Sequence, residues 1–154
     1  QWASPFFLVV LSRTGQMSDR LLLAMKVAIA LTFTCHGLYA FGVYPRPGYF
    51  VHMTMAILDV GNAGAELFLR WAGILDFIIS ILIFLPGRWS LPPLAYAVFW
   101  GLATTAARVW ANFYPEIWPQ VLKQWLHESL YRFPHFLIPL LVGLFIWQRR
   151  RHKT

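Results

Sequence analysis

The sequence predicts an all-α integral membrane protein in which four transmembrane helices form one bundle. Of the 154 residues, 58% are hydrophobic and only 12% are charged, which lies outside the usual range of soluble domains. Four apolar segments reach the length that a helix needs to cross the hydrocarbon core, about 20 residues. These predicted spans are residues 21–43, 63–85, 89–111 and 131–148. They take up more than half of the chain, so we expect a single membrane domain and no soluble domain.

Basic residues are divided unequally between the two ends of the predicted spans. An even number of spans puts both termini on one side, which carries eight lysines and arginines against four on the other. The positive-inside rule therefore orients both termini toward the cytoplasm, and the predicted location is the bacterial inner membrane. The eight are Arg13, Arg20, Lys26, Arg88, Arg149, Arg150, Arg151 and Lys153, and the four are Arg46, Arg108, Lys123 and Arg132.

The net charge of +7 does not indicate a nucleic-acid partner. Basic residues cluster in the tail at residues 149–154, which is interpreted as a stop signal that contacts lipid headgroups. The expected partners are therefore membrane lipids and other membrane-protein subunits.

Three segments outside the spans are predicted to lie at the membrane surface. The apolar run in residues 1–20 is too short to cross, and Trp2 and Phe6 suit an interfacial anchor. The loop at residues 44–62 begins with two prolines and a glycine and continues as an apolar stretch, which predicts a short helix at the outer face. Residues 112–130 are aromatic and amphipathic, and they predict a second interfacial helix in the other outer loop.

Ionisable side chains also occur inside the predicted spans, where each costs at least about 2.5 to 3.5 kcal/mol unless it faces the bundle interior and a partner. A rise of about 1.5 Å per residue places His36, Arg70 and His135 about 6 to 7 Å outward of the membrane centre. Glu66 and Arg108 come out near 12 Å. These five candidate ligand-binding residues are expected to form one polar layer in the outer half of the bundle.

The spacing of these residues predicts specific pairs. Glu66 and Arg70 are four residues apart and share a helix face, so they are expected to pair. Arg108 arrives at the depth of Glu66 from the next span, which makes an Arg, Glu, Arg cluster geometrically feasible. Asp76 lies slightly inward of the centre, and Lys26 is the partner considered for it.

Three interpretations of the polar layer are open at this point. The buried charges and histidines can simply hold the helices in register. Alternatively, the layer lines a small cavity beneath the 44–62 loop that binds a quinone headgroup, a lipid headgroup or another small polar ligand. In the third interpretation, His36 and His135 are the paired axial ligands of a b-type haem, because they share a depth on two helices.

Enzymatic templates are absent from the sequence. It contains no GxGxxG, P-loop, HExxH, CxxC or GxSxG pattern, so no catalytic residues are predicted. The single cysteine, Cys35, rules out an internal disulfide and a metal site built from several thiolates.

Two stretches, LTFTCHGLYAFGVYP and AELFLRWAGILDFIISILIFLPGRW, carry a resemblance to a known family. The first ends a helix with a histidine, a glycine and aromatic residues. The second opens with Glu66, continues through Gly73 and closes at the turn formed by Pro86 and Gly87. In these features, the first two thirds of the chain resemble the DoxX-like family of small four-helix membrane proteins.

The resemblance implies a four-helix bundle and, as in some members of that family, association as a small subunit with quinone-linked sulfur oxidation or thiol redox systems. The lack of a cysteine pair argues against direct thiol chemistry. The small size of the chain, the lack of a catalytic domain, the wide aromatic surfaces and the basic tail favour a non-catalytic accessory subunit of a larger respiratory or photosynthetic membrane complex. The alternatives are a stand-alone quinone-linked oxidoreductase and a protein that binds haem b.

Overall fold

The computed structural model describes residues 17–151, and all regular structure in this range is helical. The all-α class is therefore confirmed. Most of the predicted N-terminal anchor and the last three residues of the basic tail lie outside the described residues. The helices are α1 (Asp19–Phe41), α2 (Gly48–Leu58), α3 (Asn62–Leu82), α4 (Leu91–Ala111), α5 (Trp118–Arg132) and α6 (Pro134–Arg151), with short 3-10 turns at Gly87–Ser90 and Pro115–Ile117.

Two helical stretches in the described part of the chain are long and apolar enough to cross a membrane. One is Asp19–Phe41, and the other is Pro115–Arg149, which runs through α5 and α6. The predicted spans at residues 63–85 and 89–111 form helices of 21 residues each. α3 is set apart from the two stretches by three charged residues, Glu66, Arg70 and Asp76, that are spread along its length.

Both predicted outer loops contain a helix. The 44–62 loop forms α2, and the 112–130 segment forms most of α5. The fourth predicted span starts three residues before α6, because the regular helix is interrupted at Phe133 and α6 begins at Pro134. Proline has no amide hydrogen to donate to the preceding turn, so it suits the first position of a new helix.

Polar groups close both ends of α1. At its start, the Ser18 hydroxyl accepts a hydrogen bond from the amide of Leu21 at 3.2 Å, as expected of an N-cap. At its end, Gly42 adopts a left-handed conformation with φ of 98°, and the amides of Gly42 and Val43 both donate to the carbonyl of Leu38. The chain then turns back into α2, which lies against α3 and α4.

The apolar core fills the half of the bundle that contains the start of α1 and the second half of α6. It joins the first half of α1, the last turns of α3, the start of α4 and the second half of α6. Several of its side chains are almost completely buried, and packing of this kind supplies most of the stability of a helical domain. The core residues are Met17, Leu21, Met25, Ile29, Phe33, Ile79, Ile83, Leu94, Ala97, Val142 and Ile146.

In the other half of the bundle, the helices pack closely at two crossings. In the first, α1 meets α3 at Gly37 and Gly73, and a Cβ atom added to Gly73 would lie 2.7 Å from the amide nitrogen of Phe41 and 2.9 Å from the carbonyl oxygen of Gly37. In the second, α4 meets α6 where a Cβ added to Gly101 would lie 2.7 Å from the carbonyl oxygen of His135. Small residues permit such close backbone approach.

The crossing of α1 and α3 predicts an asymmetric response to alanine. Gly73→Ala should lower the free energy of unfolding by about 1 to 3 kcal/mol, because the new methyl group would overlap backbone atoms that cannot rotate away. Gly143→Ala is the matched control, since nothing lies within 4 Å of a Cβ at that helical position, and alanine favours helix more than glycine does. Thermal unfolding in detergent measures both, and equal melting temperatures for the two variants would contradict the close crossing.

Candidate functional site

A cavity of about 240 Å³ lies in the half of the bundle away from the apolar core. We call it the α2 cavity, because α2 forms one wall of it. α1, α3 and α4 complete the walls, and the last residue of α5 adds a charged group. The lining residues are His36, Phe50, Met53, Thr54, Ile57, Leu58, Phe68, Leu69, Trp100, Ala103, Thr104, Ala107 and Arg132.

Most of the cavity wall is apolar, and a few polar side chains interrupt it. The hydroxyl of Thr54 donates to the carbonyl of Phe50 at 2.8 Å, and the hydroxyl of Thr104 donates to the carbonyl of Trp100 at 2.9 Å. Each hydroxyl oxygen therefore keeps lone pairs that can accept a further hydrogen bond. A mainly apolar cavity with a few polar groups is typical of sites for small amphipathic molecules.

His36 is the most chemically distinctive residue of the wall. Its Nδ1 lies 2.8 Å from Oδ2 of Asp76, a residue with no solvent-exposed surface. The His36 side chain is 24% exposed, and its ring packs against Phe50 with the centroids 5.5 Å apart. Because the carboxylate occupies Nδ1, the second ring nitrogen, Nε2, is left to act toward another group.

The crossing of α1 and α3 brings this pair together. His36 is adjacent to Gly37, and Asp76 lies one turn after Gly73. A Cβ on Gly37 would lie 3.2 Å from the Cβ of Asp76, so a larger residue there would force the two helices apart. A glycine beside an ionisable residue in each helix is the sequence signal that would have predicted the pair.

Trp100 adds a hydrogen-bond donor to the same cavity wall. Its Nε1 is buried and has no hydrogen-bond partner among the described residues. The indole packs against Phe68 and Tyr96, with ring centroids 6.1 Å and 6.3 Å away. A buried indole usually satisfies its N–H group, so this donor is suited to a polar atom of a bound molecule.

A second group of charged residues adjoins the cavity where α4 and α5 meet. We call it the basic cluster, and it consists of Arg108, Glu128, Arg132 and Tyr49. Arg108 is 6% exposed, forms a salt bridge with Glu128, and has its guanidinium carbon 4.5 Å from the centroid of the Tyr49 ring. Arg132 interacts electrostatically with the other three residues.

The five candidate residues from the sequence do not form one layer of direct contacts. His36 lines the cavity and Arg108 belongs to the basic cluster. His135 is half-buried, with its Nδ1 3.1 Å from the carbonyl oxygen of Arg132. Glu66 accepts a hydrogen bond from the side chain of Asn62 at 2.9 Å, and Arg70 is exposed.

The predicted ion pairs were wrong. No salt bridge joins Glu66 to Arg70 or to Arg108 within the described range, and Arg108 pairs with Glu128 of α5 instead. The prediction failed because α5 was assigned to the membrane surface, so its carboxylate was not considered as a partner. The partner of Asp76 is His36 rather than Lys26. Of the important site residues, Asp76 was thus given the wrong partner, and Glu128, Arg132, Trp100 and Tyr49 were missed.

The haem interpretation requires the Nε2 atoms of His36 and His135 to face one another across an iron atom. Both Nδ1 atoms have partners, and the two imidazoles are close enough to affect each other electrostatically. Only His36 lines the α2 cavity, however. Residues 17–151 contain no group of three or more histidine, cysteine or acidic side chains arranged to hold a metal ion. Haem ligation by this pair stays a prediction.

Comparisons of the chain with protein families, curated proteins and solved structures found no match. The resemblance to the DoxX-like family therefore stays a prediction.

A double-mutant cycle measures the contact between His36 and Asp76. The single changes His36→Ala and Asp76→Ala each leave a polar group without its partner, so we expect the unfolding free energies to be non-additive, with a coupling of about 0.5 to 3 kcal/mol. The same cycle with His52→Ala in place of His36→Ala is the control, because His52 is an exposed residue of α2. Its coupling to Asp76 should stay within about 0.5 kcal/mol. Strict additivity for the first pair would argue against the contact.

Proposed function

We propose that this chain is a four-span membrane protein that binds the ring of a quinone or quinol in the α2 cavity. We further propose that it serves as a small accessory subunit of a larger respiratory or photosynthetic complex in the bacterial inner membrane. The observation that carries the proposal is a histidine, held at Nδ1 by a buried carboxylate, on the wall of an apolar cavity.

The outer surface of the bundle supports insertion of α3 and α4 as well as α1 and α6. A helix of 21 residues is about 31 Å long, which matches a hydrocarbon core of about 30 Å. Large apolar side chains project outward from both helices and would be unusual on a soluble protein. These exposed residues are Leu67, Trp71, Leu75, Ile78, Ile81, Phe99, Leu102 and Trp110.

The charges of α3 are compatible with membrane insertion. Asp76 is buried beside His36, and the imidazole hydrogen-bonds to its carboxylate in place of the water that this group has lost. Glu66 lies near the start of the helix, where a charged side chain can reach the headgroup region. Arg70 is the remaining charge, and the expected contact for its exposed side chain is a neighbouring subunit or a lipid phosphate.

The four-span arrangement with cytoplasmic termini predicts a labelling pattern. On a Cys35→Ser background, single cysteines at Gly61 and Glu116 should react with a membrane-impermeant thiol reagent from the periplasmic side, whereas a cysteine at Arg88 should react only after the membrane is opened. All three positions are exposed in the structure. Labelling of Arg88→Cys in intact cells would contradict the arrangement.

The cavity offers what a quinone headgroup needs. Its apolar walls suit the flat ring, while the carbonyl oxygens of a quinone accept hydrogen bonds from donors such as the Trp100 indole and the Arg132 guanidinium. The hydroxyl groups of a quinol donate instead, and Nε2 of a neutral His36 would accept such a bond. A site with both kinds of group can hold either redox form.

The accessory role rests on exposed aromatic surfaces of the bundle. Aromatic side chains are exposed on several elements, as at Trp71, Trp89, Trp110 and Tyr131. Aromatic residues are enriched where membrane proteins meet other subunits and the headgroup region. A chain with one quinone site and such surfaces is suited to present a quinone to a neighbouring redox subunit, while a stand-alone oxidoreductase remains the alternative.

Quinone binding predicts a selective loss on substitution of His36. A short-chain quinone titrated into the detergent-purified protein in a calorimeter should bind about tenfold more weakly to His36→Gln than to the unmodified chain, because one hydrogen bond to the headgroup is lost. Glutamine can still donate to Asp76, so the fold should be retained. His52→Gln is the matched control and should bind normally.

Equal affinity of the His36→Gln and His52→Gln variants would remove His36 from the site. If the titration of the unmodified chain shows no saturable heat of quinone binding, the quinone proposal as a whole is overturned.

A further inference from the structure

The basic cluster contains more positive than negative charge, and one of its arginines, Arg108, is buried. Arg108 and Arg132 contribute two positive charges and Glu128 one negative charge, which leaves a net charge of +1. Arg108 is 6% exposed, and a buried charge is stable only when it is paired and hydrogen-bonded. The cluster is therefore one anionic group short of neutrality.

The local structure holds the cluster firmly in place. Glu128 and Arg132 are one turn apart on α5, so they project from the same face of that helix. The hydroxyl of Ser129 donates to the carbonyl of Thr105 at 3.0 Å, and this bond ties α5 to the turn of α4 that precedes Arg108. The two arginines thus lie on two helices, and a hydrogen bond connects these helices three residues before each arginine.

The hydrogen bonds of Arg108 are also incomplete. One terminal nitrogen, Nη1, reaches Glu128, and Tyr49 covers one face of the guanidinium group. The Nε atom is buried and has no hydrogen-bond partner among the described residues. A buried donor left without a partner is costly, and the flat guanidinium group is shaped to give two parallel hydrogen bonds to one oxyanion.

We infer that the basic cluster binds a single phosphate group of an anionic membrane lipid. A phosphodiester carries one negative charge, which neutralises the net charge of the cluster, and its oxygens accept bonds from both guanidinium groups. The apolar outer surface described above places acyl chains beside the site. This inference rests on the proposed membrane location, but it does not depend on quinone binding in the α2 cavity.

Native mass spectrometry of the full chain in detergent tests the site. Phosphatidylglycerol and phosphatidylcholine are added in parallel, and the fraction of protein that retains one lipid is measured. We expect phosphatidylglycerol to be retained at least about tenfold more tightly, since it supplies a phosphate without a compensating cation. Arg132→Gln should remove this preference.

Lys123→Gln is the matched control, because it removes the same charge from an exposed position of the same helix. It should keep the preference. Arg108→Lys is the second variant, since it keeps the buried charge but loses the paired donors, and it should weaken phosphatidylglycerol retention about tenfold. His36→Gln should leave lipid retention unchanged, so failure of the quinone proposal and failure of this one are distinguishable.

Equal retention of the two lipids by the unmodified chain, or an equal preference in Arg132→Gln and Lys123→Gln, would overturn the inference. Inorganic phosphate distinguishes the source of the anion. If it protects the unmodified chain against heat as well as phosphatidylglycerol does, while the two lipids are retained equally, the site takes a free phosphate and the lipid assignment is wrong.

Discussion

The hydrogen bond between His36 and Asp76 is the contact on which the half of the molecule around the α2 cavity depends. A carboxylate without any exposed surface needs a partner, because the low-dielectric interior does not replace the water that it has lost. The imidazole supplies that partner only because Gly37 and Gly73 let the backbones of α1 and α3 approach closely. Steric fit and electrostatics therefore specify the same register of these two helices. The ring nitrogen that is not used in this contact belongs to the wall of the α2 cavity.

The bundle is divided along its length by the type of interaction that holds it together. In the half that contains the start of α1, side chains such as Met25, Ile83 and Val142 are almost fully buried in apolar contact. In the other half, the hydroxyl of Ser129 donates to the carbonyl of Thr105 on the neighbouring helix, and His36 and Arg108 contact the carboxylates of Asp76 and Glu128. Apolar packing is not directional, so it tolerates small shifts between helices, whereas the polar contacts require particular orientations. Specific ligand recognition is consequently expected in the half that is already ordered by directional bonds.

The sequence was sufficient to predict where the helices lie, but not which polar side chains contact one another. The long apolar runs located α1, α3 and α4 to within three residues at either end, and the apolar stretch after the proline-rich turn predicted α2. Depth along an axis was the only coordinate available for the polar residues, and it says nothing about the direction in which each helix faces. For this reason Asp76, although near the right depth, was matched with Lys26 instead of His36. Glu128 was missed because the aromatic segment at residues 112–130 was assigned to the membrane surface, whereas α5 packs against α4. Arg132 fell at the start of the predicted fourth span and was considered only for its charge.

Arg46 has a structural consequence at the end of α1. Its Nε and Nη2 atoms donate to the carbonyls of Ala40 and Phe41, at 3.1 Å and 3.2 Å, so the last turn of the helix does not require water to satisfy these oxygens. A helix closed in this way can end beneath a covering segment rather than in open solvent. The guanidinium group thereby takes the place of the water molecules that would otherwise donate to these two carbonyls. It allows the chain to turn back over a short connection, so that α2 packs against α3 and α4 and forms one wall of the α2 cavity.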